Sequence, residues 1–230
     1  MIHTYCERQG AGLLAEPLNT LTNLAFIWAA VAAWDLARRY GIRAWDLNLL
    51  TALAAAIGVG SGLWHMFATP WAKLLDLSPI FVFQLCFLWL YLRSCAGRSA
   101  VIATVLVCGY CVVSLLMMRV PPYLNGSILY APTLLVLLCA AVYHYASQQA
   151  ERYLLGIGAG LFCAAITFRS IDWLVCDYIP FGTHFLWHLL NGGLLYVAMR
   201  SLILQPSRGT EVSTCRQWPV KGTGNCHVAM

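Results

Sequence analysis

The sequence predicts an all-α integral membrane protein, a bundle of seven transmembrane helices with the amino terminus outside and the carboxyl terminus inside. Three observations carry this. Of the 230 residues, 60% are hydrophobic and only 10% charged, and the mean hydropathy of +0.70 exceeds what a soluble chain of this length can hide in a core. Seven apolar stretches can be drawn at roughly 17–22 residues each, enough to cross a hydrocarbon layer of about 30 Å. The basic residues fall unevenly between alternate connections.

Turn-forming or charged residues bound each stretch. The first runs over 18–37 and stops at Arg38-Arg39-Tyr40-Gly41, and the second covers 47–67 before Thr69-Pro70. The third covers 76–92 and ends at the polar run from Arg93 to Ser99. The fourth, 100–118, stops before Pro121-Pro122 and Asn125-Gly126. The fifth and sixth, 128–146 and 153–173, are divided by Gln148 to Arg152, and Pro180 to Gly182 precede the seventh at 183–204. Connections this short leave no room for a second domain. Residues 205–230 turn polar and read as a disordered tail. Cys226 and His227 within it read as bystanders. The chain opens with the polar MIHTYCERQG, so the first apolar stretch reads as its own insertion signal.

With the amino terminus outside, the inside segments carry Arg38, Arg39, Arg43, Arg93, Arg98, Arg152, Arg200, Arg208, Arg216 and Lys221. The outside segments carry only Arg8, Lys73 and Arg119. The positive-inside rule selects this orientation, and an odd number of spans satisfies it. The net charge of +5 is therefore a topology signal. It gives no reason to expect nucleic acid, because the basic residues form no stripe with interleaved aromatics.

Of ten cysteines, Cys86, Cys108, Cys111, Cys139 and Cys163 fall within spans and are expected to be small buried hydrophobes. Cys6 and Cys176 both fall outside, where oxidation is possible, and a bridge between them is expected. Trp28, Trp64, Trp71, Trp173, Trp187 and Tyr178 read mainly as interfacial anchors. Trp64, Trp71 and Trp187 have a second reading as the lining of a lipid entrance.

Polar residues at the ends of these stretches suggest chemistry. Ser61 and His65 are four apart in GSGLWHMFATPWAKLLD, as are His184 and His188 in GTHFLWHLLNG, so each pair shares a helical face. Asp76 lies at the start of the third stretch. The topology brings all five to one depth, near the outer boundary. Three imidazoles with a carboxylate and a hydroxyl can hold Zn²⁺ and leave a position open for water. Taken singly, each residue also has a plain reading: His65 as an interfacial polar group, Ser61 as a small packing residue beside Gly60 and Gly62, and Asp76 as a helix cap.

The order YCE, AEPLNTLTNLAF, SxxxH followed eleven residues later by Asp, and HxxxH opening the last helix resembles the alkaline ceramidase family. That family belongs to a superfamily of seven-helix membrane hydrolases and receptors, and the resemblance spans residues 5 to about 204. It implies zinc held by His65, His184 and His188, with Asp76 and Ser61 contacting the zinc-bound water. It also implies a ceramide substrate entering from the bilayer. Asp76 is then the candidate base and Ser61 a candidate donor to the oxyanion. The family also carries a calcium site in its amino-terminal segment. Glu7 and Glu16 match two of its carboxylates, while Thr4 and Gln9 stand where an acidic residue and Asn belong, and the Glu7 to Glu16 spacing is two residues shorter. Calcium therefore stays open beside the plainer reading, in which Glu7 and Glu16 are interfacial and Asn19 and Thr20 start the first helix.

Arg169 and Asp172, three apart in the sixth stretch, read as a structural ion pair. Asp172 or Asp177 reads alternatively as the acceptor behind a metal-binding histidine. The functional expectation is a membrane lipid amidase, most directly a ceramidase. The alternative is a lipid-responsive receptor of the same superfamily, and the short inside loops favour the enzyme. A transporter with structural zinc predicts internal repeats, and none is evident. Acyl preference and oligomeric state leave no mark on the sequence.

Overall fold

A computed structural model of the chain describes residues 4–205. The tail beyond Gln205, with the expectations placed on it, lies outside the described residues. The elements run α1 Pro17–Thr22, α2 Leu24–Arg39, α3 Trp45–Phe67, α4 Pro70–Ser94, α5 Ala100–Met117, α6 Ala131–Ala146, α7 Leu154–Ile171 and α8 His184–Ile203. Short 3-10 turns precede α6 at Ser127–Tyr130 and follow α7 at Asp172–Val175. No strand occurs among the described residues.

Six segments are long and apolar enough to cross a membrane: Pro17–Arg39, Trp45–Phe67, Pro70–Ser94, Ala100–Met117, Ser127–Ala146 and Leu154–Val175. The expected seventh, α8, has 20 residues but carries His184, His188, Asn191 and Arg200, which lower its hydropathy. It packs between α7 and α2, while α3 packs against α4 and α2. Leu50, Ile57, Phe83, Leu155, Met199 and Leu202 form the buried core between these helices. Outer faces are apolar too, with Val105, Leu135, Val142 and Ile157 exposed. An inside and an outside both made of hydrocarbon suit a bilayer.

Three expectations need correction. The third span begins at Pro70, not at Asp76, because Pro70 occupies the first helical turn behind an extended Thr69. Asp76 thus lies in the second turn, which excludes it as a cap. Cys108, Cys139 and Cys163 are exposed, since they sit on faces of α5, α6 and α7 that no neighbour covers. Trp64 and Trp187 are buried, unlike the exposed Trp28, Trp71, Trp173 and Tyr178. Trp187 stacks beside His184, and Trp64 packs with Tyr5 and Ala72. The Cys6–Cys176 disulfide is present, with its Cα atoms 5.6 Å apart, and fastens the amino-terminal segment to the connection before α8.

Candidate metal centre

Two close approaches set the depth of the site. Pro79 sits inside α4 and cannot donate to the carbonyl four residues earlier, so Leu75 loses its helical partner. That carbonyl faces Gly60 of α3 so closely that a Cβ there would lie 2.0 Å from the oxygen. The fit brings Asp76 beside Ser61. Ala68 ends α3 in a left-handed conformation, φ 46°, and the chain turns into α4 within two residues.

The last helix is set by Asp172, which is fully buried. Its carboxylate accepts from the main-chain N–H groups of Thr183 at 2.7 Å, His184 at 2.9 Å and Cys6 at 2.9 Å. It therefore caps the positive end of α8 from outside that helix. Gly182, at φ +64°, is required here, because a Cβ would lie 2.2 Å from Asp172 Oδ1. The expected Arg169–Asp172 ion pair does not form. Arg169 instead donates to Tyr5 Oη at 2.6 Å and lies over the rings of Tyr5, Tyr130 and Trp187. Asp172 reaches His184 through its main chain rather than its ring, and Asp177 is exposed.

His65, His184 and His188 are each buried, and one ring nitrogen from each lies within 4.8 Å of the others. Their tautomers follow from their partners. Glu16 Oε2 lies 2.5 Å from His65 Nδ1, and a carboxylate accepts, so the proton is on Nδ1. Thr22 Oγ1 lies 2.9 Å from His188 Nδ1 but already donates to Leu18 O at 2.8 Å, so it accepts from Nδ1–H. Both Nε2 atoms are then bare lone pairs, and they face each other at 3.1 Å. A metal ion between them, or a proton shared by the two rings, makes that arrangement favourable. The separation is close to the roughly 3.3 Å expected of two nitrogens at tetrahedral positions about 2.05 Å from zinc. His184 adds a buried Nδ1 with no hydrogen-bond partner. The three residues fit a metal ion.

The amino-terminal segment wraps this centre. Tyr5 stacks on His184 at 3.6 Å between centroids, and burial pushes its phenol up in pKa, which keeps it neutral. Glu16 precedes α1 but does not cap it. Glu7 does so, accepting from Leu18 N at 2.7 Å and Asn19 N at 2.8 Å. Burial would raise the Glu16 carboxyl, yet hydrogen bonds from His65, Arg8 and Asn19 outweigh it and hold Glu16 below its usual value. Asp76, partly buried on α4, has His65, Ser61, Arg169 and Lys73 as its electrostatic neighbours.

Below the histidines lies an apolar cavity of about 900 Å³, counting its open mouth. Ile57 of its wall lies one turn before Ser61, Ile80 one turn after Asp76, and Asn191 three residues beyond His188, so it begins where the polar site ends. Tyr110, Gln84 and Thr133 form a hydrogen-bonded group in its wall.

Sequence reasoning brought Ser61, His65, Asp76, His184 and His188 together. It missed Tyr5, Arg8, Thr22, the use of Glu16 behind His65 and the cap made by Asp172. A carboxylate just before a proline-led helix was the available signal for Glu16.

The family described as Ceramidase matches residues 3–223. No curated protein matches the chain. Because the family match takes in the amino-terminal segment and α8 alike, the two parts that close on His65, the chain belongs to the ceramidase family through residues 3–223 and not through one motif.

Proposed function

We propose that the protein is a zinc-dependent ceramidase, held in a membrane by seven helices, that hydrolyses the amide of a ceramide to a sphingoid base and a fatty acid. The observation that carries the proposal is the buried cluster of His65, His184 and His188, in which the Nε2 atoms of His65 and His188 face each other at 3.1 Å above an apolar cavity. Family membership supports an amide-bond hydrolase and a lipid substrate.

His65, His184 and His188 would hold zinc, which supplies an activated water and a Lewis acid for the scissile carbonyl. Asp76 accepts the proton of the attacking water and returns it to the departing amine. Ser61, beside Asp76, orients that carboxylate or donates to the developing oxyanion. The cavity receives a hydrocarbon chain while the polar end stays at the level of Asp76. A helix of 20 residues reaches about 30 Å, and α8 is flanked by α2 and α7, which supports a seventh span despite its polar residues. Charge bias supports the amino terminus outside and the site near the non-cytoplasmic leaflet.

The deciding experiment is release of sphingoid base from ceramide by the detergent-purified protein, run beside His188→Ala. Release that the substitution abolishes is the expected result. A folded, zinc-loaded wild type that releases none would overturn the reading. Asp76→Ala is expected to keep zinc and lose most turnover, and wild-type rates in that variant would exclude Asp76 as the base.

A further inference from the structure

The amino-terminal segment brings a fixed cation to the centre. Arg8 is 3% exposed, with Nε donating to Glu16 Oε1 at 2.5 Å and Nη2 donating to the His65 carbonyl at 2.5 Å. The other Glu16 oxygen takes His65 Nδ1 and, at 3.1 Å, Asn19 Nδ2. His65 is thus held at both ends. Its carbonyl, among the last of α3 and without a helical donor, meets the guanidinium directly, and its ring meets the same guanidinium through Glu16.

The family resemblance implies calcium here, and the residues do not fit it. Calcium takes six to eight oxygen ligands, carboxylates foremost. Glu16 is engaged by guanidinium, imidazole and amide N–H groups, and both oxygens of Glu7 cap α1. Thr4 and Gln9 bring no charge. A permanent positive charge beside Glu16 repels a divalent ion from the one remaining place.

We infer that Arg8 takes the place of a second metal ion, so that the centre binds a single divalent ion and the protein is indifferent to calcium. Arginine suits this position because its planar fork meets two acceptors at once and stays charged when buried. Arg8 is a positioning residue: it fixes His65 and contributes no ligand. The identity of the single ion as zinc rests on the function proposed above.

The test begins with wild-type protein equilibrated in calcium-free buffer containing zinc, its metals counted by elemental analysis and its melting followed with and without millimolar calcium. The expected result is one zinc and no calcium per chain, with the same melting temperature in both. Stoichiometric calcium, or a melting temperature that rises with calcium, overturns the inference. A chain without zinc counts against the proposed function alone, since the calcium comparison is read on the same sample. The second arm measures zinc affinity by chelator competition. Arg8→Ala is expected to weaken zinc about 10–100-fold, Arg8→Lys less, and millimolar calcium to restore part of the alanine loss. Leu155→Ala, in the core away from the centre, is expected to lower the melting temperature and leave zinc affinity alone. Wild-type zinc affinity in folded Arg8→Ala overturns the positioning role.

Discussion

The Glu16 carboxylate and the His65 imidazole, 49 residues apart in sequence, meet at 2.5 Å inside the protein. The contact decides which nitrogen of His65 carries the proton, and so which nitrogen is available to a metal. Glu16→Gln keeps the shape, but its amide can present N–H₂ as readily as oxygen, and the tautomer is no longer fixed. Zinc affinity is expected to fall about 10–100-fold, measured by competition with a chromophoric chelator. An unchanged affinity would mean that the contact does not tune the ligand.

Asp172 stands behind His184 in another way, through three main-chain N–H groups. Asp172→Ala orphans all three in a buried setting, at about 1–3 kcal/mol each before relaxation. A large drop in melting temperature is expected, with Asp172→Asn intermediate because one acceptor oxygen survives. Equal melting of wild type and Asp172→Ala would refute the capping role.

Gly60 and Gly62 lie two residues apart in α3 and should respond oppositely to alanine. At Gly60 the added carbon meets the Leu75 carbonyl, whereas at Gly62 nothing lies within 4 Å. Gly60→Ala is expected to force α4 outward, displace Asp76 and cut turnover at least tenfold while zinc remains bound. Gly62→Ala is expected to stabilise the helix by about 0.5–1 kcal/mol. Steady-state rates and melting curves of the two variants check this pair.

At the other end of the bundle Arg200 of α8 binds Glu151 in the connection before α7. The Arg200 hydrogen bond holds the Glu151 carboxyl below its usual value. A depressed carboxylate contributes stability above its unfolded pKa near 4.5 and loses it as pH falls through the lower folded value. The pair is exposed, so the contribution is expected to stay below about 1 kcal/mol. The stability difference between wild type and Glu151→Gln should shrink from pH 7 to pH 4 and also with added salt.

Helical periodicity and apolar length reveal most of the bundle, because α-helices in lipid must satisfy their own backbone. The two four-residue spacings place Ser61 with His65 and His184 with His188. Asp76 lies beside Ser61 as the spacing implied, but in the second turn of its helix and not at its start, since Pro70 opens that helix six residues earlier. Residues 4–16 are a different case. This segment has no regular helix or strand, so no period announces which side chains face inward. Tyr5, Arg8 and Glu16 acquire their roles only through contacts with α3, α7 and α8. Arg169 and Asp172, spaced as partners, are drawn apart because Tyr5 offers one of them an acceptor, while the start of α8 and Cys6 offer the other three donors.

The Cys6–Cys176 bridge closes a span of 170 residues, and the His65–His188 contact one of 123. The wall made by Arg8, Glu16 and His65 lies within residues 8–65, whereas the wall made by His184 and His188 waits for the last helix. Tyr5, made first, must wait for His184 of α8, made last. The three histidines therefore come together only once α8 is in place. A chain cut short before residue 188 would lack one of the three clustered histidines, and one kept reduced would lose the covalent tie on the segment bearing Tyr5, Arg8 and Glu16. Compartments that oxidise thiols and supply metal should yield more of the assembled centre than compartments that do only one.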